Sequence, residues 1–476
     1  MKSALWLLCA LACGDSQTTT VPADGSVTDA VLPEDSGSTD VGMADVFGTD
    51  SGADGGTGVA KWSRRYEHAK LGLLSQGISS TQTPLVFLSA EVVMADLGGG
   101  PCNCGVGSVR FDEATGTAQL PAQVIQSTFL IDDSPYAQLV VGAQDGVILA
   151  PPHKPALFPN PTGFRMRLGS EQAVTVDNAS GLNQFLLPDK TTVTFDKGDL
   201  CIFDMTNGAL NHAYVIYGNN SPTIAVDAAL QVTAGVTKFL YLVGRSNGAF
   251  FFESQKIGGA GLFMTKIDLN SFSVVWARLY GGSPLQDISL GTKDVPGVGG
   301  RLGWDAAKKE VVLALPFKGT VDFGTGPLIA PIASHAVAFA RIDPMTGNAN
   351  AAASYSKGPA AAGKPTRARV VVAGSHYVLV DTVWDTIALG STTLSATTPG
   401  VGDVYLATLD ASGKVLGTRV VSGSGEDQAQ DAAGAQDGSG DIVLSGHSAS
   451  SIDFGAGPLL TNAKEGEVWI ARVPSP

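Results

Sequence analysis

One segment of the chain has the spacing of a nucleotide-binding loop. Residues 358–364 read Gly-Pro-Ala-Ala-Ala-Gly-Lys, and the two glycines and the lysine stand where a phosphate-binding loop cradles phosphates. Such a loop continues with Ser or Thr, whose hydroxyl binds magnesium, but here the next residue is Pro365. Proline also lacks the backbone N–H that a following helix needs. We therefore expect a surface turn at this point and no nucleotide cofactor.

The residue types that usually perform catalysis are scattered along the chain. There is no His-Glu-x-x-His motif, and the six histidines stand far apart, at positions 68, 153, 212, 335, 376 and 447. Asp437-Gly-Ser-Gly-Asp441 has the carboxylates of a calcium loop, although a hairpin turn is the better explanation. The sequence therefore predicts no catalytic residue, no metal site and no cofactor, with calcium at 437–441 as the alternative.

The first residues have the layout of an export signal. Lys2 precedes the apolar run 4–12, which is too short to span a bilayer because a spanning helix needs about 20 residues. Residues 10–14, Ala-Leu-Ala-Cys-Gly, resemble the lipobox of bacterial lipoproteins, except that this family prefers Leu where Ala10 stands. The resemblance implies that residues 1–12 are a cleaved signal peptide and that Cys13 becomes the lipidated first residue. An ordinary signal peptide without lipid is the alternative.

The segment after Cys13 has the composition of a disordered chain. Residues 14–60 are rich in Gly, Ser, Thr and Ala and contain nine acidic residues but neither Lys nor Arg. Such a segment cannot bury enough apolar surface to offset the entropy of ordering it. We expect residues 13–60 to form a lipidated cysteine followed by a disordered acidic tether. The expected location is the bacterial cell envelope, at the outer membrane or cell surface, with the membrane as a partner through the lipid.

Three cysteines remain in the rest of the chain, Cys102, Cys104 and Cys201. An exported compartment favours disulfides. Cys102 and Cys104 are too close in sequence to bridge one another easily along an extended strand. We therefore expect a disulfide between Cys201 and either Cys102 or Cys104, with the choice between them open.

The chain from residue 61 onward contains a repeated pair of strands. The first is an alternating strand that ends in a turn, at 262–268, 337–343, 404–410 and 468–473 and, more weakly, at 108–112 and 200–204. A short turn with Asp and Gly follows most copies and indicates a hairpin. The second strand has the pattern Trp-x-Arg-x-Tyr at 62–66 and 276–280.

A third motif closes each unit. Asp-Phe-Gly-Thr-Gly-Pro-Leu at 322–328 recurs as Asp-Phe-Gly-Ala-Gly-Pro-Leu at 453–459, with relatives at 96–102 and 385–390. Its beginning resembles half of an Asp-box, a structural turn of sialidase-like propellers, but Gly-Pro replaces the Thr and aromatic residue of the other half. We expect the long link after this motif, such as Leu328–Ala336, to cross from one blade to the next.

Together these motifs indicate about six units of four short strands, with an insertion in the second unit near Pro151–Pro161. Tandem four-stranded antiparallel units build β-propellers. Residues 61–476 resemble the bacterial β-propeller repeat proteins of the SBBP family, which include lipid-anchored surface members. We expect an all-β fold, a β-propeller of six four-stranded blades, with seven blades or an open β-solenoid as alternatives.

The two ends of the repeat region carry unmatched strands. Residues 61–67 are a second strand with no first strand before it, and residues 467–473 are a first strand with no second strand after it. We expect these segments to pair antiparallel and to close the ring, which removes two exposed sheet edges. Trp62, Arg64 and Tyr66 on one strand and Trp469 on the other should mark this closure.

Charge narrows the class of partner. The net charge is −14 and no basic run occurs, which argues against nucleic-acid binding. We expect a monomeric, surface-displayed module that binds or scaffolds a protein or a glycan. The alternative is an exported hydrolase or lyase with its site in the central funnel. The preference for the module rests on analogy with similar folds.

Overall fold

Strands are the only regular secondary structure in the residues that the computed structural model describes. These residues are 59–66, 69–78, 84–92, 106–125, the strands of 138–281 with a few connecting residues, 301–358 without 333, 368–459 without 456, and 467–476. The chain divides into the units Met1–Thr57 and Gly58–Pro476, and every described residue belongs to the second. The predicted signal peptide, Cys13 and the tether up to residue 58 lie outside the described residues. None of the described residues belongs to a helix able to cross a membrane.

The first sheet has four antiparallel strands. Before it comes β1 (Trp62–Tyr66), which belongs to the last sheet. The first sheet consists of β2 (Ala69–Ile78), β3 (Pro84–Val92), β4 (Val106–Asp112) and β5 (Ala118–Ile125). In the turn after β4, Asp112 Oδ1 accepts a hydrogen bond from the N–H of Thr115 at 2.8 Å, and Gly116 has φ 65°. Glycine takes this left-handed conformation without strain, which explains the predicted Asp and Gly turn.

The second sheet has six strands and lies beside several small hairpins. In chain order this region contains β6 (Gln138–Val141), β7 (Val147–Ala150), β8 (Asn160–Pro161), β9 (Arg165–Leu168), β10 (Gln172–Asp177), β11 (Ala179–Ser180), β12 (Asn183–Leu186), β13 (Thr192–Phe195), β14 (Lys197–Asp204), β15 (Leu210–Gly218), β16 (Thr223–Thr233), β17 (Val236–Ser246), β18 (Phe250–Phe252) and β19 (Gln255–Ile257). The sheet has the order β9-β10-β14-β15-β18-β19. The pairs β6–β7, β8–β11 and β12–β13 surround the predicted insertion.

The third to fifth sheets repeat one plan, in which four strands follow one another in sequence and in space. Their remaining strands are β20 (Gly261–Asp268), β21 (Ser273–Leu279), β22 (Arg301–Asp305), β23 (Glu310–Phe317), β24 (Thr320–Asp322), β25 (Pro327–Ile329), β26 (Ala336–Ile342), β27 (Ala349–Lys357), β28 (Arg369–Ala373), β29 (His376–Val383), β30 (Thr386–Leu389), β31 (Thr392–Ser395), β32 (Asp403–Leu409) and β33 (Val415–Gly423). The sheets are β16-β17-β20-β21, β22-β23-β26-β27 and β28-β29-β32-β33, with a hairpin added to each of the last two.

The last sheet unites the two ends of the repeat region. Its later strands are β34 (Asp427–Gly434), β35 (Ile442–Ser448) and β38 (Glu467–Val473), and between β35 and β38 lies the hairpin of β36 (Ile452–Asp453) and β37 (Pro458–Leu459). The order is β34-β35-β38-β1, and β1 pairs antiparallel with β38 from Trp62 opposite Arg472 to Tyr66 opposite Val468. The antiparallel pairing expected for 61–67 and 467–473 is therefore present.

The closing motifs form small hairpins that contact the preceding sheet. β30 pairs with β27 of the fourth sheet, and β36 pairs with β33 of the fifth. After each hairpin the chain returns to its own sheet, so that β26 pairs with β23. The prediction that the link Leu328–Ala336 crosses between blades is therefore wrong, because the hairpin doubles back. The chain moves to the next sheet after the fourth strand instead, for example between β33 and β34.

The sheets pack on one another through apolar faces. Three core clusters join the third sheet to the fourth, the fourth to the fifth and the fifth to the last. The strands β23, β29, β32 and β38 are buried almost throughout, because each is covered on both faces by a neighbouring sheet. The first strands of successive sheets contact one another in chain order, and β34 of the last sheet contacts β2 of the first.

Candidate functional site

In three of the sheets, a Lys or Arg side chain near the end of the third strand binds a turn of the neighbouring sheet. Lys266 Nζ donates to the Pro344 carbonyl at 2.9 Å, and Arg341 Nη1 donates to the Ala411 carbonyl at 2.6 Å. Arg472 Nη1 of the last sheet makes the corresponding bond, to the Glu113 carbonyl of the first sheet at 3.1 Å. The same contact therefore joins the third sheet to the fourth, the fourth to the fifth and the last to the first.

Arg472 is also the centre of a larger polar group. We call this group the closing junction; it consists of β1 and β38, the turn 434–442 of the last sheet and the turn 112–117 of the first sheet. Its guanidinium donates to Asp441 Oδ2 at 2.9 Å, Asp437 Oδ2 at 2.5 Å and Ser439 Oγ at 3.0 Å. Lys61 Nζ lies 2.7 Å from the same oxygen of Asp441. The carboxylates of the predicted turn at 437–441 thus bind side-chain cations of the chain itself.

The electrostatics of this junction follow from these contacts. Burial raises the pKa of Asp437, but hydrogen bonds from Arg472 and Ser439 outweigh it and hold this pKa well below its usual range. The buried carboxylate of Glu113 accepts hydrogen bonds from the backbone N–H and the side-chain amide of Gln436, at 2.6 and 3.1 Å. The junction is therefore a set of paired charges that joins two sheets.

The residues predicted to mark ring closure lie around this junction. Trp62 Nε1 donates to the Glu113 carbonyl at 3.0 Å, and its ring stacks on Phe111 at 6.0 Å. Tyr66 lies 6.2 Å from the Phe111 ring, and Arg64 donates to the neighbouring carbonyl of residue 63 at 2.8 Å. Trp469 stands opposite residue 65 in the ladder. Trp62 and Tyr66 thus connect the last sheet to the first.

The closing motif is structural in both copies. Asp322 Oδ1 accepts hydrogen bonds from two glycine N–H groups, at 2.7 and 3.1 Å, and Asp453 Oδ1 does the same at 2.6 and 3.2 Å. The aromatic residue that follows each aspartate, Phe323 or Phe454, is buried. The aspartates therefore fold a tight turn, and the aromatic ring that follows each of them packs in the core between two sheets.

A second polar group lies inside the sheets, and sequence reasoning missed it. Lys357 Nζ at the end of β27 lies 2.6 Å from Asp381 Oδ2 in β29, and both side chains are almost fully buried. Burial lowers the pKa of Lys357, and the charge of Asp381 opposes this effect. The backbone carbonyl of His335 accepts a hydrogen bond from the N–H of Lys357. Burial and, second, the charge of Lys357 lower the pKa of His335 to about 4.

Asp427 is the first residue of β34 and is fully buried. Its Oδ1 accepts a hydrogen bond from Ser448 Oγ at 2.5 Å. Asp403, at the start of β32, is also buried and accepts a hydrogen bond from the N–H of Thr397. Burial is the main cause that raises the pKa of Asp427, to about 7, and the nearby charge of Asp403 adds to it.

These buried groups have little access to a substrate. A general acid or base must come within hydrogen-bond reach of a reacting atom, and Lys357, Asp381 and Asp427 are enclosed between sheets. Asp381 interrupts the apolar run of β29. This single carboxylate among Val and Leu residues is the signal in the sequence that could have indicated a buried charge. The ion pair of Lys357 and Asp381 is suited to holding two sheets together, and the charge of Asp427 is suited to changing with pH.

Other predicted sites remain undecided. Cys201 lies in β14, opposite Thr175 of β10 and Ala213 of β15, but Cys102 and Cys104 lie outside the described residues, so the disulfide stays a prediction. Residues 359–367, which contain most of the loop-like segment, also lie outside them. Within the described part of the chain, no group of three His, Cys, Asp or Glu residues is arranged to hold a metal ion.

Comparisons with known proteins give distant similarities. No protein-family model and no curated protein matches the chain. A solved structure of the polysaccharide lyase Uly1 matches 85% of this chain and 77% of its own, with 8% identity and a TM-score of 0.33. The acylaminoacyl peptidase of Pyrococcus horikoshii matches 61% of this chain and 44% of its own, with 9% identity and a TM-score of 0.27.

The NanB sialidase of Streptococcus pneumoniae matches 82% of this chain and 57% of its own, with 11% identity and a TM-score of 0.21. The chain spans less than half the length of the acylaminoacyl peptidase structures that it matches. Similarity at this level assigns neither an activity nor site residues to this chain.

Proposed function

We propose that residues 59–476 form a closed six-bladed β-propeller in which β1 supplies the outer strand of the last blade. Two equivalences support this proposal. Trp62 Nε1 binds the turn of the first sheet as Trp276 Nε1 binds the Pro344 carbonyl of the fourth sheet, at 3.0 and 3.1 Å. The N–H of Ala60 donates to the carbonyl of Phe454, as Ala349 donates to Phe323 in the fourth sheet.

The cyclic order of contacts between first strands gives further support, because each sheet meets the next and the last meets the first. Deleting residues 467–476 tests closure. The truncated chain should melt at a lower temperature and aggregate, since it exposes the edges of β1 and β35. A truncated protein that stays monomeric with an unchanged melting temperature argues against the closed ring.

We also propose that this propeller is an exported, lipid-anchored module that binds a protein or a glycan. Exposed apolar side chains carry this proposal. Ile329, the last residue of β25, is 67% exposed, and Ile332, in the link that follows this strand, is fully exposed. Clustered apolar side chains on a soluble surface often mark a binding site.

The charged groups support binding rather than catalysis. Three groups whose pKa is shifted, Lys357, Asp427 and Arg472, are buried and bind other groups of the fold. A hydrolase or lyase needs an acid and a base that reach the substrate. Among the described residues, the carboxylates with a shifted pKa form their contacts within the fold, so the binding module is the better proposal.

Photo-cross-linking in the host tests the binding surface. A photoreactive residue at position 329 of the full-length protein should form an adduct with an envelope protein or glycan. The matched control is position 416, because Leu416 is also exposed but lies on the outer strand β33. Adducts at 329 and not at 416 support the proposal, and equal yields at both positions, or none at 329, contradict it.

Anchoring has its own test. Cys13→Ala should abolish incorporation of a fatty-acid analogue and release the protein from the membrane fraction. Equal labelling of the variant and the wild type contradicts a lipid at Cys13, whatever the outcome at position 329.

A further inference from the structure

The contact between the fifth and last sheets contains more negative than positive charge. Asp381, Asp403 and Asp427 are all buried, and the buried Lys357 contacts Asp381. We call these four residues the acidic junction. The other buried cation of this contact, Arg369, donates to the Gln430 carbonyl and lies 3.3 Å from Asp431, which is also buried. Lys357 binds Asp381 at 2.6 Å, so neither Asp403 nor Asp427 forms an ion pair among the described residues. A buried carboxylate without a cation is costly when charged.

Asp427 is placed where the two sheets meet. Its backbone N–H donates to the Gly402 carbonyl of the fifth sheet at 2.7 Å. Two residues later, the N–H of Ala429 donates to Thr382 Oγ1 at 3.2 Å. These bonds attach the first residues of β34 to the neighbouring sheet, so a change of charge at Asp427 acts directly on the attachment.

Among the described residues, Asp427 forms no ion pair, because the cation that contacts β34, Arg369, binds Gln430 and Asp431 instead. Asp403 faces it from β32, and Glu426 faces it from the link before β34. From β35, Ser448 supplies a neutral hydroxyl. The ion pair of Lys357 and Asp381 is neutral overall and lies in the next strands, where Asp381 adjoins Thr382. Gly423 leaves little space for rearrangement, since an added Cβ would meet both Ser451 and Asp427.

We propose that Asp427 carries a proton while the fifth and last sheets are joined and releases it when they separate, so that acid stabilises this junction.

The direction of the effect follows from linkage. Burial and the charge of Asp403 raise the pKa of Asp427 in the folded protein to about 7, whereas an exposed aspartate titrates near 4. Below pH 4 the group is protonated in both states and has no effect. Between about pH 4 and 7 separation releases a proton, so the opening equilibrium rises by up to about tenfold per pH unit and levels off above 7.

Hydrogen exchange of the full-length protein at pH 4.5 and 7.5, corrected for the intrinsic rates, measures this opening. The wild type should lose at least about tenfold protection in residues 427–434 at the higher pH. Asp427→Asn keeps the hydrogen bond from Ser448 but cannot ionise, so its protection should be independent of pH. Asp453→Asn is the matched control, because Asp453 is exposed in the nearby β36 and an Asn oxygen still accepts the two glycine N–H bonds, so its pH dependence should match that of the wild type.

A wild type with pH-independent protection, or an Asp427→Asn variant with the wild-type pH dependence, overturns the proposal. Infrared spectroscopy of the wild type provides a measurement that does not depend on any variant. The carbonyl band of a protonated carboxyl group should be present at pH 5.5 and lost above pH 8. Its absence at pH 5.5 also overturns the proposal.

Discussion

Replacing Arg472 with Met tests how much the closing junction contributes to stability. Arg472 is 2% exposed, and its guanidinium binds Asp437, Asp441 and the carbonyl of Glu113. Removing one partner of a buried ion pair costs about 3–5 kcal/mol, because the other charge stays buried. Lys61 still contacts Asp441 but is half exposed, and such a pair contributes below about 1 kcal/mol. We expect the free energy of unfolding to fall by about 3–4 kcal/mol.

The assay is chemical denaturation of the full-length protein, combined with hydrogen exchange of residues 62–66. Arg341→Met is the matched control, because Arg341 makes the equivalent bond to the Ala411 carbonyl far from β1. Both variants should denature earlier, since Arg341 also binds Glu310. Faster exchange of residues 62–66 should appear in Arg472→Met alone. An unchanged denaturation midpoint and unchanged exchange in Arg472→Met would refute the reasoning.

Three further predictions concern single residues. Tyr405→Phe should be neutral or stabilise the fold by up to about 1 kcal/mol, because the buried Tyr405 hydroxyl has no hydrogen-bond partner among the described residues. Tyr355→Phe loses the 2.6 Å hydrogen bond to the Gly413 carbonyl and should cost about 1 kcal/mol. Denaturation midpoints measure both effects. Lys357→Met should cost about 3–5 kcal/mol by leaving Asp381 buried without its cation, and adding Asp381→Leu should restore part of this loss in the same assay. Cys201 should appear in a disulfide with one of the two earlier cysteines when exported protein is mapped by non-reducing mass spectrometry, and three free thiols would contradict that prediction.

The strands were predictable where their signals are local. The segment 262–268 was predicted as an alternating strand and is found as β20, Gly261–Asp268, and 404–410 is found as β32, Asp403–Leu409. Alternation has a period of two residues, and the turn after each strand needs a glycine with positive φ. Both requirements are met within a few residues, so a single sequence reveals them.

The inter-sheet contacts were not predictable in the same way. Arg472 and Glu113 are 359 residues apart, and no local sequence pattern around either residue indicates its partner. The link at 328–336 misled the prediction for a related reason, since its length fits a crossing as well as a hairpin that returns. Asp427 is one of 44 acidic residues, and its burial depends on which sheet covers β34. The strand pairing of the chain ends was predictable because each end was visibly incomplete.

The pairing of β1 with β38 also constrains when the last sheet can fold. Residues 62–66 are synthesised first among the strands, and their partners at 467–473 follow about 400 residues later. During synthesis the earlier sheets can form while β1 has no partner in the chain. The last sheet can therefore assemble only after β38 has emerged, and any chain interrupted before that point carries an unpaired first strand. Completion of the last sheet thus reports that the whole repeat region has been produced.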